Sequence, residues 1–288
     1  MASGNMKMIK RRIKSVSSTM QITNAMELVA SSKLRRAKQK AKTGRPFFDA
    51  QYQMLTELAQ QHIGLETVFT QKRDVVKNRL FIVIAGDRGM AGGYNSGMFK
   101  LVAAAHKDQP VPKIIAIGKK SVEYFEKRGY EVISKYVGLA ENVKNAYCAD
   151  IAGTAIRMFR RGEVDEVLLF YTQFVSSMVQ KAADIPLLPI DTPPLEQNAG
   201  SKSRLLNYDP NPEAVFNRIV PNFLMSLVQC AVSESYASEQ CARRIAMENA
   251  SDNAAEMIGR LSLLYNRARQ EKITNEINEI VGGANALS

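Results

Sequence analysis

The glycine-rich segment Gly86–Gly93 has the residue spacing closest to that of a phosphate-binding site. It follows the apolar run Leu80–Ala85 and precedes helix-forming residues, so its backbone amides could meet an anion at a helix N-terminus. Its pattern is GxxGxxGG, without the Lys-Ser or Lys-Thr pair of a P-loop, and Arg88 stands where a dinucleotide fingerprint needs its second glycine. We therefore interpret the segment as a tight turn in which Asp87 and Arg88 make local contacts. A nucleotide-dependent enzyme is the alternative.

Other residue types that could do chemistry do not form a recognisable pattern. The two histidines, His62 and His106, have no acid or nucleophile motif beside them, and the sequence contains neither GxSxG nor HExxH. The three cysteines, Cys148, Cys230 and Cys241, form no CxxC pair, which argues against a zinc site and against a disulfide framework. The sequence predicts no catalytic residue, no cofactor and no metal site.

The positive charge of the chain is concentrated at its N-terminal end. The formal net charge is +11, and residues 1–45 hold twelve Lys and Arg residues against one acid, Glu27, whereas the rest of the chain is balanced. Such an element predicts an acidic partner: nucleic acid, anionic lipid or an acidic protein surface. Aromatic residues do not alternate with the basic ones, and Met26, Leu28 and Val29 form an apolar patch among them. An acidic protein is favoured, and a basic coiled-coil protein that binds nucleic acid is the alternative.

The basic residues lie on a segment with a strong helical pattern. Between Gly4 and Gly44 there is neither glycine nor proline, and two rows of mostly apolar residues repeat every seven positions. These rows are Ile9, Val16, Thr23, Ala30 and Ala37, and Ile13, Met20, Glu27, Leu34 and Ala41. At 1.5 Å per residue, 40 residues make a helix of about 60 Å, which a small core cannot cover. We expect a kink at Pro46 and further helix to about Ala59.

The C-terminal part of the chain has a similar pattern. No proline follows Pro221, and one apolar stripe continues almost to the end. The stripe comprises Leu224, Leu227, Ala231, Ala242, Ile245, Ala254, Ile258, Leu261, Tyr265 and Ala268, and then shifts phase to Ile273, Ile277, Ile280 and Ala284. Two long helices at opposite ends of the sequence, each with a partial seam, are expected to pair as an antiparallel coiled coil.

The middle of the chain alternates between strand and helix patterns. Predicted strands are Leu80–Ala85, Lys113–Ile117 and Glu166–Thr172, with an extended segment at Val179–Ile190; predicted helices are Ser96–His106, Lys119–Lys127 and Asp150–Arg161. This alternation predicts an α/β fold with a largely parallel, Rossmann-like sheet, inserted between the two terminal helices. The expected domains are an N-terminal coiled-coil helix (1–60), an α/β domain (75–195) and a C-terminal coiled-coil helix (210–286).

Three separated segments resemble one protein family. Residues Ile22–Arg35 resemble the N-terminal helix of the gamma subunit of F-type ATP synthases, and Ala268–Ala284 resembles that family's C-terminal signature, I-T-x-E-x-x-E-x-x-x-G-A. The turn at Gly86–Gly93 and residues Ser238–Gln240 before Arg243 match as well. The motifs occur in the family's order and span essentially the whole chain.

The resemblance implies a central rotor stalk without catalytic activity of its own. The implied partners are the alpha and beta subunits of a catalytic ring, the epsilon subunit and the membrane rotor c-ring, so that proton flow is coupled to ATP synthesis or hydrolysis. No run approaches the roughly 18 consecutive apolar residues of a membrane-spanning helix, so the expected membrane association is peripheral. Since the cysteine-pair insertion of chloroplast members is absent, the expected location is the cytoplasmic face of a bacterial plasma membrane.

The resemblance also implies which residues contact partners. Met26 matches a position that faces an acidic loop of beta, Arg243 lies near it by the family pattern, and Arg269 and Gln270 match positions that grip a loop of the ring. Thr274 and Glu276 match coupling positions of the signature. By hypothesis, the basic side chains around Lys33, Arg35 and Arg36 face the acidic loops of beta, because long-range attraction suits contacts that change during rotation.

Overall fold

A computed structural model describes residues 2–61, 67–73, 75–107, 109–190 and 209–285. It contains five helices and five strands within these ranges. In chain order they are α1 (Ala2–Gln61), β1 (Arg79–Ile84), α2 (Tyr94–Ala105), β2 (Lys113–Ile117), α3 (Lys119–Glu126), β3 (Val132–Tyr136), α4 (Asn145–Arg160), β4 (Glu166–Phe174), β5 (Gln180–Leu188) and α5 (Pro212–Asn285). The chain divides into two compact units: one comprises Met1–Ser31 and Arg243–Ser288, and the other Ser32–Ala242. We call them the helical unit and the sheet unit.

The helical unit consists of the first half of α1 and the last part of α5. The Thr23 and Ser251 hydroxyl oxygens are 2.6 Å apart, and both side chains are buried. The covered faces are the predicted seams. On α1, Thr23 and Ala30 are buried and Ile9, Ile13, Val16, Met20 and Glu27 are half-buried; on α5, Ala254 and Leu261 are buried and Ile258, Tyr265 and Ala268 are half-buried. The two ends of the chain therefore bury their apolar stripes against each other.

The same two helices also meet within the sheet unit. There the rings of Phe48 and Phe223 stack with centroids 5.8 Å apart, and Tyr52 lies 6.3 Å from Phe223. The residue number on α5 falls as the number on α1 rises, from Thr23 with Ser251 to Phe48 with Phe223, so the helices run antiparallel. This confirms the predicted pairing of the terminal helices.

Both long helices continue through a proline. Pro46 lies inside α1, which extends to Gln61, and Pro221 lies inside α5. The C-terminal helix was predicted within residues 210–286, and α5 begins at Pro212 and ends at Asn285. Two local features explain this start: the Asn211 side chain accepts a hydrogen bond from the Ala214 amide at 2.8 Å, and a proline fits the first helical position, where no amide hydrogen is needed.

Part of α5 is strongly apolar. By length and composition alone, one 18-residue window within it could cross a membrane, with a mean hydropathy of 1.3. Core helices of soluble proteins also meet this criterion, and 44% of the window is buried inside the chain. Phe216, Val220 and Leu224 of this helix belong to the core of the sheet unit.

The five strands form one sheet with the order β3-β2-β1-β4-β5. The pairs β2–β3, β1–β2 and β1–β4 are parallel, and β5 joins β4 antiparallel at the edge. This is the order of dinucleotide-binding folds, which confirms the predicted Rossmann-like sheet. The strand β3 has no counterpart among the predicted strands, because its short VISKY sequence at a half-buried edge lacks a clear apolar run.

Alternate residues of β1 enter two apolar clusters on opposite faces of the sheet. Leu80, Ile82 and Ile84 pack with α4 and α5, whereas Phe81 and Val83 pack with α2 and α3. Because both faces are covered, the central strands are apolar throughout. The C-terminal helix α5 is thus both a layer of the sheet unit and half of the helical unit.

Candidate functional site

The glycine-rich segment is a turn at the carboxyl end of β1, fixed by local hydrogen bonds. The Asp87 carboxylate accepts hydrogen bonds from the amides of Lys119 and Gly138, both at 3.0 Å. The Gly86 amide donates to the Asn95 side chain at 2.9 Å, and the Gly86 carbonyl accepts from the Lys120 amide at 3.0 Å. Asp87 therefore places a negative charge at the N-terminus of α3, a position that the helix dipole favours. Asp87 also joins the turn to two segments that are distant in sequence, whereas the sequence predicted contacts within the turn.

The side chain of Glu239 in α5 lies against Gly86 in this turn. In a sheet of this order, ligands bind beside the carboxyl ends of β1 and β4, where the strand order reverses. Here a Cβ atom on Gly86 would lie 2.9 Å from Oε1 of Glu239, which is only 4% exposed. A phosphate would have to displace a buried carboxylate of its own charge sign, so the geometry does not favour a nucleotide site.

Sequence reasoning from patterns does not single out Glu239. Only the family resemblance pointed to Ser238–Gln240. The available signal is a run of Ser, Glu and Gln on a helix face that is otherwise apolar, from Ser233 to Gln240. Polar residues at buried helix positions require partners in the fold, and this requirement is what makes such a run informative.

The titratable side chains in the described ranges do not form a reactive centre. No group of three or more His, Cys, Asp or Glu residues among them could hold a metal ion. The ring nitrogens of His106 lie 2.7 Å from the Val102 carbonyl oxygen and 2.9 Å from the Tyr130 hydroxyl oxygen. His62 lies outside the described residues. Burial and the neighbouring Cys230 raise the pKa of the Cys148 thiol to about 11, which keeps this cysteine in its unreactive thiol form.

The predicted contact residues of α1 have different surroundings. Arg35 and Arg36 are exposed, and Met26 is half-buried. Lys33 has a partner within the chain: its Nζ lies 2.6 Å from Oε1 of Glu141, and this hydrogen bond holds the pKa of the Glu141 carboxyl below its usual range. Any contact of Lys33 with another subunit must therefore compete with Glu141.

An apolar surface accompanies the basic side chains of α1. Leu28 is 71% exposed and Val29 is 56% exposed, although both are large aliphatic residues. Farther along, Arg36 and Lys38 border a groove of about 1280 Å³ that Phe47 and other apolar side chains also line. Basic residues beside exposed apolar ones are typical of a surface that binds another protein.

The predicted contact residues of α5 divide into a buried and an exposed group. Arg243 is 7% exposed and belongs to the same unit as Met26. Arg269, Gln270, Thr274 and Glu276 are exposed, and Lys272 lies 3.2 Å from the Glu276 carboxylate on the same helix. The isoleucines of the shifted stripe are also exposed, at 47% for Ile273, 54% for Ile277 and 72% for Ile280.

Comparisons with known proteins agree with this architecture. The ATP synthase family model matches residues 5–287. The ATP synthase gamma chain of Ruminococcus albus is 49% identical over 96% of both chains, and the sodium ion specific gamma chain of Acetobacterium woodii is 40% identical over 99% of both. Among solved structures, a chain of the Euglena gracilis mitochondrial ATP synthase matches with a TM-score of 0.72 at 19% identity, covering 99% of this chain and 95% of that one. The chain belongs to the ATP synthase gamma-chain family.

Proposed function

We propose that this chain is the central rotor shaft of a bacterial F-type ATP synthase and performs no catalysis itself. The observation that carries the proposal is the pairing of its two ends, joined at Thr23 and Ser251, into a helical unit distinct from the sheet unit. In this proposal the beta subunits of the surrounding ring make the bonds. The glycine turn, which has the spacing closest to that of a phosphate-binding loop, lies against the side chain of Glu239.

The mechanism depends on shape and surface instead of chemistry. A two-helix rod inside a ring of three alpha and three beta subunits presents a given face to one beta subunit at a time. Each catalytic site then experiences different contacts with the rod, and only such differential contacts can bias its conformation. Rotation of the rod would move this bias from one beta subunit to the next.

The residues of α1 proposed to face acidic loops of beta are Met26, Lys33, Arg35 and Arg36. Exposed Leu28 and Val29 extend this surface with apolar area. Positive charges attract an acidic loop over several ångströms without fixing one geometry, which suits a contact that must form and release in each turn. On α5, we propose that Arg243 lies near Met26, that Arg269 and Gln270 grip a loop of the ring, and that Thr274 and Glu276 are coupling positions.

The five-stranded sheet with α2, α3 and α4 is proposed as the foot of the rotor, in contact with the epsilon subunit and the membrane c-ring. Peripheral attachment through these subunits would place the chain at the cytoplasmic face of the plasma membrane. Proton flow through the c-ring would turn the foot, and the two long helices would carry this rotation to the ring. The comparisons give no support to the nucleic-acid alternative.

The test is reconstitution with the alpha and beta subunits of the same enzyme. The expected result is a stable complex that hydrolyses ATP faster than alpha and beta alone, while the isolated chain hydrolyses none. With epsilon and the membrane sector added, hydrolysis should drive ion pumping. Salt-sensitive retention on DNA, without co-purification of alpha and beta, would instead support the alternative. ATP hydrolysis by the isolated chain would overturn the proposal.

A further inference from the structure

Polar side chains from one stretch of α5 form hydrogen bonds with a part of β4 that has no neighbouring strand on that side. The strand β1 pairs with β4 only as far as Val83 opposite Phe170, so beyond Phe170 the β1 side of β4 has no strand partner. Buried backbone groups without a partner are costly. Here the Ser235 hydroxyl accepts a hydrogen bond from the Thr172 amide at 3.0 Å, and the Ser238 hydroxyl donates to the Thr172 carbonyl at 3.1 Å.

Two further hydrogen bonds extend this contact along the helix. The Phe174 amide donates to Oε1 of Glu234 at 2.9 Å. The Cys241 thiol donates to the Ser177 carbonyl at 3.1 Å, in the connection from β4 to β5. Ser235, Ser238 and Cys241 are 0% exposed. Residues 234 to 241 span about 10 Å of helix, so the four bonds attach two successive turns of α5 to β4 and to the connection that follows it.

This contact differs in kind from the apolar packing elsewhere on α5. Apolar packing has no preferred direction, so it allows a helix to roll or slide slightly on a sheet. Hydrogen bonds require defined distances and angles. The hydroxyl of a serine in a helix commonly donates to the backbone carbonyl four residues earlier, as the Ser233 hydroxyl does to the Gln229 carbonyl at 2.9 Å. Ser235 and Ser238 bond to the sheet and thereby fix the rotation of α5 about its own axis.

From this geometry we propose that Glu234, Ser235, Ser238 and Cys241 form a torsional clamp, that is, a contact that passes rotation between the sheet and helix α5. The inference rests on the proposed rotor function. The helix α5 continues without interruption from the clamp to Asn285, so a twist applied to the sheet enters the helix at these four residues. Each is a positioning residue, since none contacts a reacting group.

The test measures the torsional stiffness of the assembled complex with the catalytic ring immobilised and a bead attached to the sheet unit. In the double variant Ser235→Ala and Ser238→Ala, we expect the variance of the bead angle during catalytic pauses to rise about twofold and the number of ions pumped per ATP to fall. The matched control Ser233→Ala removes a hydroxyl from the same helix that bonds only within the helix, and it should behave as wild type.

A second pair of variants keeps the proposal testable if the double variant does not assemble. Glu234→Leu removes the acceptor of the Phe174 amide and should also raise the variance, whereas Glu234→Gln keeps an acceptor oxygen and should restore the wild-type value. If the variance of the bead angle is unchanged both in the Ser235→Ala, Ser238→Ala double variant and in Glu234→Leu, the clamp is overturned. A lower melting temperature in these variants would then show that the hydrogen bonds only stabilise the fold. Absence of ATP-driven rotation in wild type and in Ser233→Ala would overturn the rotor function itself, and the clamp with it.

Discussion

At the scale of single residues, the fold satisfies buried polar groups by joining segments that are distant in the sequence. Thr23 lies in the predicted apolar seam of α1, where a polar side chain is unfavourable unless it has a hydrogen-bond partner. In the structure its hydroxyl pairs with that of Ser251. Asp165 accepts hydrogen bonds from the amides of Lys77 and Asn78, both at 2.8 Å, and its carboxylate lies 2.5 Å from Arg73. Both cases make stability depend on specific partners.

The hydroxyl pair of Thr23 and Ser251 should show energetic coupling. Each single variant, Thr23→Val or Ser251→Ala, leaves the other hydroxyl without its buried partner and should cost about 1 kcal/mol of unfolding free energy. The double variant should cost less than the sum, because no unpaired hydroxyl remains across the interface. Denaturant titration followed by circular dichroism measures all three, and strictly additive losses would contradict the pairing.

Asp165 should make the stability of the sheet unit depend on acid pH. Burial alone would raise the pKa of this carboxyl, but the amides of Asn78 and Lys77 and the Arg73 guanidinium outweigh burial and lower it. The carboxylate therefore stabilises the fold at neutral pH, and this contribution is lost as the pH falls through the lowered folded-state pKa, below about 3.9.

The variant Asp165→Asn tests this dependence. It should lower the free energy of unfolding by about 1–3 kcal/mol at pH 7, since hydrogen bonds to a charged group are lost. Its difference from wild type should shrink as the pH falls below 4. Melting temperatures across a pH series, with the exposed Glu126→Gln as control, give the comparison. A difference that stays constant with pH would show that the charge is not the cause.

At the scale of elements, α1 and α5 each have a face covered by the chain and a face left exposed. Their heptad spacing was sufficient to predict the covered seams, because periodic apolar residues report on local helix geometry. The polar contacts of Ser235 and Ser238 could not be predicted in this way, since they depend on where β1 ends relative to β4. The strand β3 could not be predicted for a similar reason, since it becomes a strand by pairing with β2.

The exposed basic face of α1 should be required for coupling. Reversing Lys33, Arg35 and Arg36 to Glu should reduce ATP-driven ion pumping or prevent assembly, because an acidic loop would then be repelled. The Lys33 change also breaks the ion pair with Glu141, so Arg35→Glu with Arg36→Glu is the sharper variant.

The control for this variant has the same charge change elsewhere. Lys100→Glu with Lys107→Glu alters two exposed residues in and just after α2, outside the proposed contact with beta, and should reduce pumping less than the α1 variant does. Pumping per ATP in membrane vesicles is the measurement. If the α1 variant pumps as well as its control, these arginines do not face an acidic partner.

The C-terminal tip of α5 should act as a bearing. Ile273, Ile277 and Ile280 are exposed, and such apolar side chains can turn in an apolar sleeve without ion pairs that would hold one angle. Deleting the residues after Ile280 should therefore reduce the rate of ATP hydrolysis by the complex without abolishing it. Complete loss of hydrolysis in a complex that still contains all subunits would contradict the bearing role.

At the scale of the whole molecule, the sheet has the strand order of nucleotide-binding proteins, but its geometry does not favour a nucleotide site. A largely parallel, Rossmann-like sheet and the glycine turn were both predictable from the sequence, and both suggest a ligand; the strand order 3-2-1-4-5 was not, because β3 was not predicted. The side chain of Glu239 against Gly86 changes the conclusion, and its position depends on a helix more than a hundred residues away in sequence. The sheet order and the turn alone would therefore have given the wrong function.

The proposed function requires that the chain turns as one shaft while chemistry occurs in its neighbours. The most direct measurement immobilises the catalytic ring of the reconstituted complex and records a bead attached to the sheet unit during ATP hydrolysis. We expect rotation in one direction, with three pauses per turn set by the three beta subunits. A bead that stays at a fixed angle while the same complex hydrolyses ATP would contradict it.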